Sequence, residues 1–254
     1  MSARHLTLNV VKEPDFLIEE TETDVVITGT IFTLPPFKAK IWKTKNLTIR
    51  AYALTLTEDI SVPSKSIHIY ARKIHVANQL TLSVSGVDGA AYPTSAGNGR
   101  SPGAAGTQGK KGRPGKKAGN ITVVAEDVTG QRLTVLARGG TGGPGQNGGN
   151  GAAGRVGSEG ADATGYKDSN GKVGGKGQKG GDAGRGGMGG DAADGGKVEL
   201  RLPFPQAERD IVVNVASGDA GAPGANGRAA KGGPGGRGGR NKSCSFFGYD
   251  SRTI

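Results

Sequence analysis

Short stretches in which apolar and polar residues alternate recur along the chain, with glycine-rich sequence between them. The stretch 66–86 reads SIHIYARKIHVANQLTLSVSG, and 120–140 and 197–218 share its layout of two alternating apolar runs around a polar turn. A weaker copy occupies 46–65. Alternation with many β-branched residues is typical of β-strands, and a repeat of about 20 residues without helices has the size of one solenoid coil. The pattern therefore predicts four stacked β coils.

The alternation also predicts which residues face the interior of the stack. Alignment of the repeats puts Ile69, Ile121 and Val198 in one interior row. Residues 4–35, which include HLTLNVV and DVVITGTIF, alternate in the same way but lie before the first repeat. We expect them to form the N-terminal cap of the stack.

Glycine is distributed very unevenly, with one of 48 glycines in residues 1–85 and 46 in residues 86–240. From Gly103 onwards the glycines recur at every third residue in several short series, with a one-residue shift between Gly180 and Gly181. A polyproline-II-type helix has three residues per turn, so every third residue lines one face. The series are short and only 12 prolines are present. This favours a single-chain bundle of short helices over a collagen triple helix.

The predicted fold class is therefore all-β: a right-handed parallel β-solenoid with an inserted bundle of polyglycine-II or polyproline-II-type helices and almost no α-helix. Residues 1–86 would form the solenoid cap and first coils, and 241–254, which lack alternation, an irregular tail. Between them, 87–240 would alternate β coils (120–140, 197–218) with polyglycine-II excursions (87–119, 141–196, 219–240).

The number of glycine faces on each helix predicts its place in the bundle. Segment 103–115 has one glycine face and should lie outside, whereas 232–239 has two and should lie inside. Glycine faces let two backbones approach closely. The glycines expected to pack against neighbouring backbones are Gly142, Gly145, Gly148, Gly184, Gly187, Gly190, Gly233, Gly236 and Gly239.

The GxxGxxG runs of residues 97–240 resemble the polyglycine-II bundles of springtail antifreeze proteins. They are also similar to the glycine-rich tips of phage tail-fibre adhesins, and the β repeats resemble right-handed β-helix proteins at large. These resemblances imply an architecture of packed glycine helices. For function they imply either ice binding or presentation of a receptor-binding surface.

Positive charge is concentrated in the first glycine excursion. The chain carries a formal net charge of +11, and residues 87–119 contain six Lys or Arg against one Asp. Lys110, Arg113 and Lys116 share one helix face at about 9 Å spacing, and Lys111 and Lys117 share another. A row of cations on a stiff rod suits a polyanion. The competing interpretation is a solvated face that keeps the protein soluble.

Several function classes lack their sequence signals. G-x-G-x-x-G matches arise automatically inside a glycine triplet repeat, and none opens a βαβ unit. One cysteine, Cys244, and three histidines are too few for a cysteine or histidine metal site, so we expect no metal and no cofactor. Few aromatic residues accompany the cations, which argues against sequence-specific nucleic-acid binding. No apolar run is long enough for a transmembrane segment, and no signal peptide is visible.

The sequence therefore favours a non-enzymatic structural or adhesive module at an extracellular, surface or virion-associated location. Its expected partners are an anionic polysaccharide or cell surface, or further copies of itself in an oligomer or fibre. Two alternatives remain: an ice-binding protein, which thermal hysteresis would reveal, and a β-helix enzyme acting on polysaccharides, which turnover would reveal.

Overall fold

A computed structural model describes residues 9–34, 42, 44–164, 170–202 and 211–242. In that part the fold is all-β, and every secondary-structure element is a β-strand, as the alternation predicts. The expectations for residues 4–8, for Cys244 and for most of the 241–254 tail fall outside the described residues. The described strands are β1 Asn9–Lys12, β2 Phe16–Glu20, β3 Asp24–Gly29, β4 Ile31–Thr33, β5 Asn46–Leu56, β6 Ile60–Ser61, β7 Ile67–Val76, β8 Leu80–Ser83, β9 Ile121–Val124, β10 Asp127–Gly130, β11 Leu133–Leu136, β12 Val198–Arg201 and β13 Ile211–Asn214.

The chain divides into two compact units, each made from several stretches of sequence. The first unit comprises Met1–Ala91, Lys111–Pro144 and Gly189–Ala222, and it contains all of the described strands. The second comprises Tyr92–Lys110, Gly145–Met188 and Pro223–Ile254.

The first unit begins with an antiparallel meander and continues as parallel sheet. Strands β1, β2 and β3 pair antiparallel, and β3 then pairs parallel with β5. From β5 the sheet continues in parallel through β7 and β9 to β12. A second, wholly parallel sheet has the order β13-β11-β8-β6.

Equivalent positions of the four repeats lie side by side in the larger sheet. One row runs Leu47, Ile67, Ile121 and Val198 across β5, β7, β9 and β12. The predicted row is therefore wrong at Ile69, which pairs with Val123 instead of Ile121. A shift of two residues keeps every side chain on the same face, so alternation specifies the face but not the register.

Apolar side chains from both sheets form one core. The inward rows are almost wholly inaccessible to solvent in the first three repeats, whereas Val213 of β13 is 43 % exposed because β13 is an edge strand. The core is formed mainly by Val25, Ile27, Leu47, Ile49, Leu54, Leu56, Ile60, Ile67, Ile69, Ile74, Val76, Leu82, Val84, Ile121, Val123 and Val135.

Five glycine-rich segments lie between or after the strands: segment 1 (86–99), segment 2 (103–119), segment 3 (138–164), segment 4 (170–196) and segment 5 (216–242). They contain no helix and no β-strand, and backbone N–H groups that recur at three-residue intervals donate to neighbouring segments. In the second unit, Gly148 donates to the carbonyl oxygen of Ala225 at 2.8 Å, and Gly184 to that of Gly149 at 2.8 Å. The same donation by Gly142 to Asp219 (2.8 Å) recurs in the first unit.

The glycines are required by close backbone approach and not by unusual dihedral angles. Among the described glycines only Gly103 and Gly130 have φ in the left-handed region. A Cβ added to Gly142, in contrast, would lie 2.0 Å from the carbonyl oxygen of Gly190. No real Cβ makes such a contact, so any side chain there would separate the two segments.

The apparent phase shift at Gly180 and Gly181 is the start of a second glycine column in segment 4. A Cβ on Gly180 would meet the carbonyl oxygen of Ala230 in segment 5, whereas one on Gly181 would meet that of Ala104 in segment 2. The column towards segment 5 keeps its phase at Gly186. The second column begins only where segment 2 becomes a neighbour.

Candidate functional site

The nine glycines predicted to pack against neighbouring backbones all make very close approaches. An ideal Cβ on any of them would lie 1.8–2.1 Å from a backbone carbonyl oxygen of an adjacent segment. These positions hold the segments together; five of them are buried, and Gly142, Gly233, Gly236 and Gly239 are half-buried. The set comprises Gly142 and Gly190 in the first unit and Gly145, Gly148, Gly184, Gly187, Gly233, Gly236 and Gly239 in the second.

The predicted burial of segment 232–239 inside the bundle is wrong. Its second glycine column is open: the nearest atoms to a Cβ on Gly232, Gly235 and Gly238 would be 3.3, 3.7 and 3.9 Å away. No residue of 232–239 is buried, whereas 103–115, which was predicted to lie outside, contains the buried Gly109 and Gly112. Two glycine faces therefore do not imply two layers of neighbours.

The predicted anion-contacting segment, Lys110 to Lys117, lies on the surface, and two of its cations are in ion pairs. Lys111 Nζ lies 2.7 Å from a carboxylate oxygen of Asp191, and Lys117 Nζ lies 3.0 Å from one of Asp194. All four side chains are largely exposed. Such pairs contribute roughly 0.2–1 kcal/mol each, so a polyanion would compete with the two aspartates for these lysines.

The other three cations of this segment are Lys110, Arg113 and Lys116, and hydrogen bonds to segment 3 fix their backbones. In the first unit, the carbonyl oxygens of Arg113 and Lys116 accept hydrogen bonds from the N–H groups of Gly143 (2.8 Å) and Gly140 (3.0 Å). Lys110 belongs to the second unit, where its carbonyl oxygen accepts from the Gln146 N–H at 3.0 Å. The side chains of all three are exposed.

Sequence reasoning missed a second basic column, on segment 5 in the second unit. Arg228, Lys231, Arg237 and Arg240 recur at three-residue spacing, interrupted only by Pro234, and all four are exposed. Their period was visible in the sequence. The summed charge of a segment does not reveal such a period.

A groove on the larger sheet brings an aromatic ring, a guanidinium group and a carboxylate together. The cavity measures about 320 Å³, and its lining includes Tyr70, Arg72 and Glu126. Arg72 Nε donates to Glu126 Oε2 at 2.5 Å, and the guanidinium lies 5.5 Å from the centre of the Tyr52 ring. The hydrogen bond from Arg72 to Glu126, together with the Glu126 charge, raises the pKa of the Arg72 guanidinium.

A smaller polar cavity of about 230 Å³ lies where segments 1 and 3 begin. The Thr141 N–H donates to Asp88 Oδ1 at 2.7 Å, and Thr141 lowers the pKa of Asp88 through hydrogen bonds from its side chain and backbone. Arg138, which also lines this cavity, forms an ion pair of 2.6 Å with Asp219. The charged groups of both cavities are thus bonded to other parts of the protein.

Two further searches concern only the part of the chain that the structure describes. Within it, no three His, Cys, Asp or Glu side chains come close enough together to hold a metal ion. In the same residues no helix is long and apolar enough to cross a membrane.

Comparison with known proteins gives no match: no family model fits the chain, and no similar curated protein or solved structure is found.

Proposed function

We propose that this chain is a non-enzymatic structural or adhesive module that presents basic surfaces to acidic polysaccharides outside the cell or on a virion. In this proposal a right-handed parallel β-solenoid anchors a bundle of polyglycine-II-type helices. The observation that carries it is the three-residue recurrence of backbone hydrogen bonds between the glycine segments. A framework of this kind fixes the positions of exposed side chains without a large apolar core.

The sequence offsets of paired strands support the solenoid. Strand β7 pairs with β9 and with β10 at a common offset of 54 residues, and β8 pairs with β11 at an offset of 53. Strands on different sides of one repeat therefore pair with strands of the same following repeat. A chain that winds in coils stacks its strands in this way.

The glycine segments support the helical bundle. In the second unit Gly151, Gly154 and Gly157 donate to the carbonyl oxygens of Arg228, Lys231 and Pro234, with N···O distances of 2.9–3.0 Å. One donation in every three residues matches the period of a helix with three residues per turn and no internal hydrogen bonds. The bonds link neighbouring segments, as such helices require.

The charge supports acidic polysaccharide as the partner. Cations whose backbones are fixed lose little freedom when an anion contacts them, so several can act together even though each exposed contact is weak. The experiment is immobilisation of carboxylated, sulfated and neutral polysaccharides and measurement of binding at low and high salt. We expect binding to the two acidic classes only, weakening steeply with salt. Absence of binding to every acidic polysaccharide would contradict the proposed partner, and depolymerisation of one would favour the enzyme alternative.

Ice binding is the second candidate, and one exposed column favours it. In the second unit Pro223, Asn226, Ala229, Gly232 and Gly235 form an uncharged column of small residues along segment 5. Charged side chains of the neighbouring basic column flank it, which is unfavourable for a flat ice-binding surface. Thermal hysteresis of a dilute solution tests this candidate, and we expect none.

A further inference from the structure

The geometry points to the basic column of segment 5 as the docking surface for a linear acidic polysaccharide, lying lengthwise along that segment. The column consists of Arg228, Lys231, Arg237 and Arg240, all within the second unit. This inference rests on the proposed function and assigns its ligand-contacting residues to a place other than the 110–117 segment.

The four cations share one side of an extended segment. At three residues per turn and a rise of about 3.1 Å per residue, cations three residues apart are separated by about 9 Å, Lys231 and Arg237 by about 19 Å, and the column is about 37 Å long. Pro234 takes the one position that lacks a cation. A polymer lying along the segment can therefore meet all four charges, whereas a small anion meets one.

The backbone of each cation is fixed by segment 3. The carbonyl oxygens of all four residues accept hydrogen bonds of 2.8–3.0 Å, and the donors are the N–H groups of Gly151, Gly154, Gly160 and Ala163.

The two ends of the column are fixed a second time. The Arg228 N–H donates to Asn150 Oδ1 at 2.8 Å, and the Arg240 N–H donates to Asp162 Oδ1 at 2.6 Å. Because this backbone is fixed before any ligand arrives, binding must order only the side chains.

The side chains of this column are more available to a ligand than those of segment 110–117. Among the described ion pairs none includes Arg228, Lys231, Arg237 or Arg240, whereas Lys111 and Lys117 are each paired with an aspartate. In the part of the chain that the structure describes, none of these four cations is paired with a carboxylate that a polyanion would have to displace. The same number of contacts should therefore give tighter binding at segment 5.

A bare strip of backbone borders the column. Gly232, Gly235 and Gly238 occupy the adjacent positions of segment 5, and all three are exposed. Without side chains on this strip, a polymer can lie close to the segment while its acidic groups reach the cations.

The spacing and composition favour a polysaccharide over a nucleic acid. A nucleic-acid duplex carries a charge about every 3.4 Å along each strand, whereas polysaccharides with one acidic group per repeat unit space their charges more widely, as this column does. Aromatic side chains for base stacking are scarce as well. In the described residues of the second unit, Tyr92 is the only aromatic.

The test compares two variants with equal charge loss in the second unit. The first carries Arg228→Gln, Lys231→Gln, Arg237→Gln and Arg240→Gln. The matched control carries Arg155→Gln, Lys172→Gln, Lys176→Gln and Arg185→Gln, which are exposed cations of segments 3 and 4. Binding of the full chain to polygalacturonate, dextran sulfate, neutral dextran and single-stranded DNA is measured at several salt concentrations.

We expect the column variant to bind both acidic polysaccharides about 30-fold more weakly, which corresponds to about 2 kcal/mol over four contacts, and with a shallower dependence on salt. The control should lose less than about threefold in affinity. The variant Arg228→Lys/Arg237→Lys/Arg240→Lys should bind as the parent does. If the column variant loses its cooperative melting, the double variants Arg228→Gln/Lys231→Gln and Arg237→Gln/Arg240→Gln replace it.

Three results would overturn the inference. Parent-like binding by the column variant, or equal losses in the column variant and the control, would leave the proposed function intact but remove this site from it. Tighter binding of DNA than of either polysaccharide, lost in the column variant, would replace the ligand class. If the parent binds no acidic polysaccharide at all, the proposed function fails and this inference fails with it.

Discussion

Gly180 and Gly181 are neighbours in the chain, yet each is glycine because of a different partner. A Cβ on Gly180 would lie 2.1 Å from the carbonyl oxygen of Ala230, and one on Gly181 would lie 1.8 Å from that of Ala104. Each glycine column of segment 4 is therefore needed only along the length over which its own neighbour runs. This rule explains both where glycine is required and where it is optional.

Alanine substitution should distinguish required from optional glycines within the second unit. A methyl group at Gly187 would lie 1.9 Å from the Lys110 carbonyl oxygen, so Gly187→Ala should destabilise the protein by at least about 2 kcal/mol. At Gly235 the nearest atom would be 3.7 Å away. Gly235→Ala should therefore change stability by less than about 1 kcal/mol, and a gain would reflect a less flexible unfolded chain. Urea unfolding measures both, and equal losses would contradict the open-column assignment.

Replacement of large apolar side chains by alanine should reveal how well the β core is shielded from solvent at its centre and at its edge strand. Ile69 is fully buried, so Ile69→Ala should cost about 2–5 kcal/mol. Val213 faces inward on edge strand β13 but is 43 % exposed, so Val213→Ala should cost less than about 1 kcal/mol. Thermal and urea unfolding of the two variants provide the comparison. A large loss at Val213 would mean that another part of the protein covers it in solution.

Protonation of Asp24 should weaken the attachment of the antiparallel meander to the parallel sheet at β5. The hydroxyl of Thr23 and the amide of Asn46, which donates to Asp24 Oδ1 at 3.0 Å, lower the pKa of Asp24 below its ordinary value of 3.8. Because the folded-state pKa is the lower one, this contribution is present above pH 3.8 and is lost as the pH falls below it.

The melting temperature of the parent should consequently fall more steeply below pH 3.8 than that of Asp24→Asn, whose side chain does not titrate. The difference between the two proteins should be constant from pH 5 to pH 7. Parallel curves down to pH 2.5 would show that Asp24 does not contribute to the acid sensitivity.

Removal of two aspartates should strengthen polyanion binding at Lys111 and Lys117, the two ion-paired lysines of the 110–117 segment. Asp191→Asn together with Asp194→Asn releases Lys111 and Lys117 from ion pairs and should change stability by less than about 1 kcal/mol. Affinity for dextran sulfate at low salt should rise about threefold to tenfold. The control is Glu58→Gln with Glu159→Gln, which removes the same charge at two exposed carboxylates that belong to none of the described ion pairs. An equal rise in the control would indicate net charge alone as the cause.

The sequence predicts the kinds of element well and their neighbours poorly. Alternation with period two identifies the strands, but it cannot distinguish Ile67 from Ile69 as the partner of Ile121, because both face the same way. Period three identifies the glycine columns, but whether a column is covered depends on where another segment ends. For that reason Gly235 was predicted to be buried and is exposed.

The charged sites show the same limit. Lys111 and Asp191 are 80 residues apart, so the composition of a single excursion gives no sign of their ion pair. The column from Arg228 to Arg240 is visible in the sequence once its cations are assigned to one face by their three-residue spacing, as the cations of the 110–117 segment were. Summed charge conceals such a column, because the sum does not depend on order.

The three-residue recurrence of hydrogen bonds in the glycine segments also restricts how this protein can change in length. Insertion of one residue into 145–160 would move every later residue out of this three-residue phase, and side chains would then point at the carbonyl oxygens that glycines now face. Insertion of three residues preserves the phase and adds one complete repeat. Viable length variants should therefore differ by multiples of three, matched in the outgoing and returning segments, much as a reading frame tolerates only whole codons.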